Sequence, residues 1–256
     1  KYFANLAAEE GVVANWWWLP DDGRQTRTCL LISSDSTAND STVFNEEGPS
    51  VTVDEWKQFS QHVISIATDC DTVLFCGSLP CGISGTDFGN LVHTLAVGHN
   101  KNVFVDSSRV PLSAVVEQPQ NVSIKVNQSE LLEVMPSFTP DQLIVAAKTL
   151  ISRGAKQVII TRGAQGAVLV TESSSVEASA PDVDAVSSVG CGDTFHAAFA
   201  YQFTSHQSTV GTTEDLAFAI ACGSASAEND VPGKFDLQRA LQLQRIILEH
   251  HVNPDT

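Results

Sequence analysis

Short runs of β-branched and aromatic residues recur along this chain, separated by stretches with the 3.6-residue period of a helix. The runs are TVLFC (Thr72–Cys76), NVFVD (Asn102–Asp106), VSIKV at 122–126, QVIIT (Gln157–Thr161) and AVLVT at 167–171. Continuous apolar character of this kind suits a strand covered on both faces. Parallel neighbours of that sort need long crossovers, and helices supply them. The alternation therefore predicts an α/β fold, a doubly wound and mostly parallel sheet flanked by helices. Among the crossovers, 54–67 carries Trp56, Phe59, Val63 and Ile66 on one stripe, and Thr52 with Glu55 forms a capping box at its start. Thr139-Pro140 opens a second helix that runs to Arg153 and stops at Gly154. Residues 1–11 predict another.

One segment breaks the pattern. Residues 27–33 and 41–45 read as two short strands joined by a Ser/Asn/Asp/Thr-rich loop at 34–40, with no helix between them. They predict a β-hairpin across 26–46, serving as a lid or as an edge. Trp16, Trp17 and Trp18 just before it are assigned to core or interface packing. At 256 residues the whole chain, 1–256, suits one α/β domain.

Charge and composition narrow the function. A net charge of −16 offers no surface to neutralise phosphate backbones, which argues against nucleic acid as a partner. With 14 basic residues, an enzyme of phosphorylated substrates has to gather its cations at the site. No apolar run approaches the roughly 18 residues of a membrane span. Six cysteines without a CxxC pair, in mostly apolar contexts, predict buried free thiols in a reducing cytoplasm rather than zinc ligands.

The strongest chemical signal is Ser187-Ser188-Val189-Gly190-Cys191-Gly192-Asp193-Thr194-Phe195. A glycine-bracketed turn leads into a helix whose Phe195, Phe199 and Phe203 recur every fourth residue. Unbonded N–H groups and the positive end of the helix dipole favour an anion there, and glycine lets it approach the backbone. Asp193 then stands where a general base for an attacking alcohol would stand, although an N-cap aspartate after a glycine turn accounts for the same letters.

Gly190-Cys191-Gly192-Asp193-Thr194-Phe195 resembles the GAGD-(T/S)-F signature of PfkB-type, ribokinase-like carbohydrate kinases, with Cys in place of Ala. The resemblance implies that Asp193 takes the proton of the sugar hydroxyl. It also implies that the N–H groups of Gly190, Cys191 and Gly192 hold the moving phosphoryl group, a role Cys191 keeps because it belongs to the backbone. Lys125-Val126-Asn127-Gln128-Ser129-Glu130 resembles the family's KPN-x-x-E, with Val for Pro. Carried over, Asn127 and Glu130 organise Mg²⁺ through its waters beside the ATP phosphates, with Lys125 nearby. An N-cap explains the same spacing. Thr161, Gly163 and Gly166 fall in a turn that resembles the family's (S/T)-x-G-x-x-G contact with ATP, and a plain strand–turn–strand connection explains those letters too. The alanine-rich helix at 216–227 resembles in position the segment that lines one side of the family's adenine pocket, and its small residues equally suit close helix–sheet packing.

Within the family, three segments resemble the group that acts on phosphorylated ketohexoses, namely Thr26-Arg27, Asn45-Glu46-Glu47-Gly48-Pro49, and Cys76-Gly77-Ser78-Leu79-Pro80-Cys81-Gly82. They imply that Arg27 and Ser78 hold the substrate phosphate. Asp106 orients the site or merely caps a turn. The implied reaction is ATP-dependent phosphorylation of fructose 1-phosphate, fructose 6-phosphate or tagatose 6-phosphate to a bisphosphate. Alternatives are a kinase of an unphosphorylated sugar or nucleoside, and a nucleotide-binding pseudokinase. Lack of G-x-G-x-x-G after the first strand sets aside a dinucleotide-dependent oxidoreductase. The family often pairs through its lid sheet, so the hairpin is a candidate homodimer surface. Two family elements, N-P-A-x-D and G-G-K-G-x-N, have no counterpart in the chain, so the expectation is an N-terminally incomplete domain that catalyses poorly as it stands.

Overall fold

The structure is a computed structural model that describes residues 2–34 and 37–252. Helix α1 (Tyr2–Glu9) leads through an irregular stretch to β1 (Cys29–Ser34) and β2 (Thr37–Asn45). These two strands pair antiparallel in a sheet of their own, with Leu30 opposite Phe44 and Leu31 opposite Val43. The expected loop at 34–40 is shorter than its composition suggested, since Ser34 and residues from Thr37 onward are strand, and positions 35 and 36 lie outside the described residues. Polar residues can occupy the ladder of a two-stranded antiparallel sheet, whose backbone pairing does not require an apolar face.

Helix α2 (Val53–Ile66) begins at the expected capping box, with Thr52 accepting from the Glu55 amide and Glu55 returning a bond to the Thr52 amide. The main sheet follows, β3 (Thr72–Cys76), β4 (Asn102–Asp106), β5 (Val122–Asn127), β6 (Gln157–Thr161), β7 (Ala167–Val170) and β8 (Ser175–Ala178), lying side by side in that order. The first four are parallel and the last two antiparallel. Connecting them are α3 (Gly85–His93, continued by a π-turn), α4 (Arg109–Glu117), α5 (Gln128–Val134) and α6 (Leu143–Ser152). Strand β8, whose SVEA reads as polar loop, was not foreseen. The helix expected from Thr139 starts instead as a short 3-10 turn, Pro140–Gln142, before α6 proper.

Alternate residues along each strand feed two cores. Val103, Val105, Ile124, Val126, Val158 and Ile160 meet α2 to α6 on one face. Phe104, Ile159, Leu169 and Ala178 face the other side, covered by α7 (Cys191–Ser205), α8 (Thr213–Ala227) and α9 (Leu237–Val252). Phe199 and Phe203 make edge-on contacts with Phe104, at ring-centre separations of 6.1 and 5.2 Å, so the phenylalanine ladder of α7 anchors it across β4. The result is a three-layer α/β/α arrangement, with parallel strands sharing one C-terminal edge.

The tryptophans are exposed, which sets aside the core and leaves an interface, Trp17 standing on Phe59 and His62 of α2 at 6.4 and 5.2 Å. One expectation is corrected. Of the six free cysteines only Cys222 is buried, while Cys29, Cys70, Cys76 and Cys81 are exposed. An apolar neighbourhood in sequence says little about burial at the hairpin, the edge strand β3 or the loops.

Candidate active site

The C-terminal ends of β3 to β6 and the start of α7 meet at one edge of the sheet. Gly190 adopts φ 78° as the residue before α7, and no side chain caps that helix; Cys191 N–H reaches the Ser188 carbonyl at 3.4 Å, while the Gly192 and Asp193 N–H groups have no backbone partner among the described residues. A Cβ at Gly190 would stand 2.8 Å from the Gly233 nitrogen, so the turn excludes any side chain. Asp193, in that first turn, is exposed.

Below it runs a row of polar groups. Strand register sets Cys76, Asp106 and Lys125 directly abreast on β3, β4 and β5. Lys125 Nζ pairs with Asp106 Oδ2 at 2.8 Å, both side chains largely shielded from water. The ammonium also lies 3.2 Å from where a Cβ on Gly192 would be, which brings the cation against the glycine turn. Burial raises the Asp106 carboxyl above its usual range, Lys125 opposes that rise, and the charges of Asp193 and Glu130 add to it. Asp106 thus orients Lys125, the stronger of the two roles open to it.

His196 completes this row, one helical turn beyond Asp193, and no feature of the sequence pointed to it. It is 1 % exposed, with Nδ1 3.5 Å from Cys76 Sγ and 3.7 Å from Asp106 Oδ2. Although a carboxylate is near, burial and then the Lys125 charge push its pKa down to about 3, so the ring is neutral. The Cys76 thiol, on an exposed residue, is still partly desolvated at its sulfur side, and this together with the Asp106 and Asp193 charges pushes it up to about 11. A pH effect follows. The unfolded chain takes up a proton near pH 6.5 that folded His196 refuses until about pH 3. Stability is therefore lost as pH falls through that interval. Between pH 6.5 and 5 the wild type should lose about 2 kcal/mol more than His196→Asn, at roughly 1.4 kcal/mol per pH unit, as read by urea unfolding at the two values.

Beside the row lies a cavity of about 590 Å³, within the usual range for small-molecule sites. It brings together Asn127, Thr161, Gly163, Gly166, Cys191 and Gly192. Its far wall is the small-residue face of α8, including Gly223 and Ala227, and a Cβ at Gly223 would come within 3.3 Å of the Cys191 carbonyl oxygen. Segment 180–188 contributes Ala180, Pro181 and Val183, which no motif in the sequence marks.

Other expected residues divide. Asn127 Oδ1 accepts from the Glu130 amide and Ser129 hydroxyl, and Glu130 Oε2 accepts from the Asn127 amide, so both serve as helix caps. Among the described residues no three acidic, His or Cys side chains group as a metal cage. The donors present fit Mg²⁺ held through water and substrate oxygens, since that ion keeps several waters, with one Glu130 oxygen left for it. Ser78 lies on the loop after β3, which is anchored to β4 by Gly77 N–H to Asp106 O and Ser107 Oγ to Gly77 O. Arg27 is exposed and forms no ion pair among the described residues, whereas Arg24 is bound to Glu55, Asp22 and the Ser50 carbonyl. Among the described residues no hydrogen bond or ion pair joins Arg27 or Ser78 to the Asp193 row.

A three-layer α/β/α fold with a nucleotide-sized cavity and a glycine turn at one strand edge defines the class. The family model for "pfkB family carbohydrate kinase" matches residues 1–232, and the chain belongs to that family. It is 29 % identical over 213 residues to a 1-phosphofructokinase of Haemophilus influenzae, covering 82 % of this chain and 67 % of that protein. It is 31 % identical over 207 residues to the 1-phosphofructokinase of Escherichia coli K12, covering 80 % and 65 %. The chain thus spans about two thirds of the length of these relatives. In fold it matches E. coli phosphofructokinase-2 in complex with potassium, with a TM-score of 0.84 at 24 % identity over 96 % of this chain and 78 % of that one. No described helix is long and apolar enough to cross a membrane.

Proposed function

We propose that this protein transfers the γ-phosphoryl group of ATP, with Mg²⁺, to a hydroxyl of a phosphorylated ketohexose in the cytoplasm, giving a bisphosphate. What carries the reading is Asp193 standing exposed at the mouth of the glycine turn, with the cavity on one side and Lys125 beneath. In this mechanism the 590 Å³ cavity takes the nucleotide, its base against the small face of α8. Asp193 accepts the hydroxyl proton, and the N–H groups of Gly190, Cys191 and Gly192 hold the transferred phosphoryl group in line. Lys125 adds positive charge where the equatorial oxygens gather charge. Thr161, Gly163 and Gly166 border the nucleotide phosphates, and Asn127 with Glu130 hold waters of Mg²⁺. Arg27, with no carboxylate partner among the described residues, and Ser78 take the phosphate already on the sugar. The names of both curated relatives support a phosphosugar acceptor.

The test is ADP release from this chain and from a form extended upstream to its relatives' length, offered fructose 1-phosphate, fructose 6-phosphate, tagatose 6-phosphate, fructose and ribose. Turnover confined to the phosphosugars supports the reading. Turnover of the plain sugars alone replaces it.

We also propose that the hairpin forms a homodimer interface. Leu30, Ile32, Val43 and Phe44 are all more than half exposed, at 53 to 57 %, on a two-stranded sheet that cannot bury them itself. Phe44→Glu is expected to yield a monomer where the unaltered protein sediments as a dimer. Identical sedimentation of the two removes the hairpin from the interface.

A further inference from the structure

The catalytic reading leaves one buried group unused. His196 sits under the anion turn among Cys76, Asp106 and the Phe104 ring, 6.1 Å away, and its Nε2 has no partner among the described residues. It is costly to bury a histidine where a leucine would pack as well, so its nitrogens matter if they act on something. Nδ1 faces a thiol and a carboxylate oxygen. A carboxylate only accepts, so Nδ1 carries the hydrogen and Nε2 is left as a dry acceptor, the less costly of the two orphans.

Resting on the kinase reading above, we propose that His196 is a positioning residue. Its Nδ1–H steadies the Asp106 carboxylate, which in turn holds Lys125 against the Gly192 turn. The gap of 3.7 Å is longer than a formed hydrogen bond, yet between groups this shielded a fixed dipole still acts strongly. The other oxygen-facing partner is Lys125 itself, at 2.8 Å on the same Oδ2. Asp106 Oδ2 is therefore bonded by Lys125 from β5 and faced by the Nδ1–H dipole of His196 from α7. Removing the α7 donor leaves the carboxylate free to turn, and the ammonium with it. Cys76, protonated, closes the row on the β3 side. Through Asp106, the helix that presents Asp193 is thus coupled to the strand that presents Lys125, so base and cation keep their spacing.

The experiment compares His196→Leu, which keeps bulk, with His196→Asn, whose amide N–H takes the place of Nδ1–H. Thermal melting first confirms that both fold. His196→Leu is expected to lower kcat about tenfold, through loss of the Nδ1–H dipole facing the shielded Asp106 carboxylate, with KM for ATP and phosphosugar changed less than about twofold. His196→Asn should recover kcat to within about threefold. Equal losses in both variants overturn the proposal and make His196 packing alone. Independently of turnover, ¹⁵N shifts of the ring, assigned by difference against His196→Asn at pH 7, should show hydrogen on Nδ1. Hydrogen on Nε2 overturns the proposal. Should the unaltered enzyme phosphorylate no sugar, the kinase reading fails, and the ring nitrogens by themselves decide whether His196 serves Asp106.

Discussion

Asp193→Asn is expected to lower kcat roughly 10²–10⁴-fold, the usual contribution of a positioned general base, while nucleotide affinity changes little. The amide fills the same space at the start of α7 but cannot accept the hydroxyl proton. Loss of one negative charge beside Asp106 also eases that carboxyl back toward its ordinary range, because the Asp193 charge is one of the groups that raise it. Chemistry is therefore impaired without damage to the fold, and calorimetric ADP binding should be nearly unchanged. A variant that keeps kcat within about threefold of the unaltered enzyme would leave Asp193 as a helix-start aspartate and move the base elsewhere.

The second large effect is structural. Gly166 has φ 90° and ψ −139°, a region open only to glycine, and an added Cβ would lie 2.0 Å from the Ala178 oxygen and 2.7 Å from the Ala180 nitrogen. Both contacts are backbone, so nothing flexible can yield. Gly166→Ala should cost about 3 kcal/mol or more and lower Tm by roughly 6–12 °C for a domain of this size. It should also weaken ADP binding, since Gly166 and Ala180 share a wall of the cavity. Gly163→Ala provides the contrast. Its φ of 58° is strained for alanine, but no atom lies within 4 Å of the added Cβ, so it should cost only about 1 kcal/mol. If the two variants melt together, the close approach of β8 to the Gly166 turn is not a constraint on this fold.

Some of this was legible in the letters because it depends on neighbours in sequence. Buried strands need continuous apolar runs, and β4 and β6 fall where those runs do, whereas the run at Thr72–Cys76 forms the edge strand β3, none of whose residues is buried. A capping box is satisfied within four residues, so Thr52 with Glu55 could be read directly. Glycine that must adopt positive φ, as at Gly190 and Gly154, marks its turn wherever the chain goes afterwards. The family signatures are local for the same reason, since a helix start and its glycine turn form one contiguous anion site.

Residues that meet only through pairing of distant strands were beyond that reading. Cys76, Asp106 and Lys125 stand abreast because parallel register places them so, and a single-residue slip would turn each to the opposite face. His196 joins them because the α7 phenylalanines lock that helix over β4, with no motif to announce it. Asn127 and Glu130 matched a metal motif and a helix cap equally well in sequence, and the hydrogen bonds show the cap in place. The cysteines mark the boundary most plainly. An apolar context suggested burial, yet burial depends on what packs across the chain, and four of the six stand in water at a hairpin, an edge strand and loops. Most strands, helices and glycine turns can be read from the letters, because local sterics and hydrogen bonding settle them, but β8 and the start of β2 cannot, since their polar residues become strand by pairing with a neighbour. Which polar groups lie within reach of Asp193 is a property of the tertiary structure, because their distances are set by packing between elements far apart in the chain.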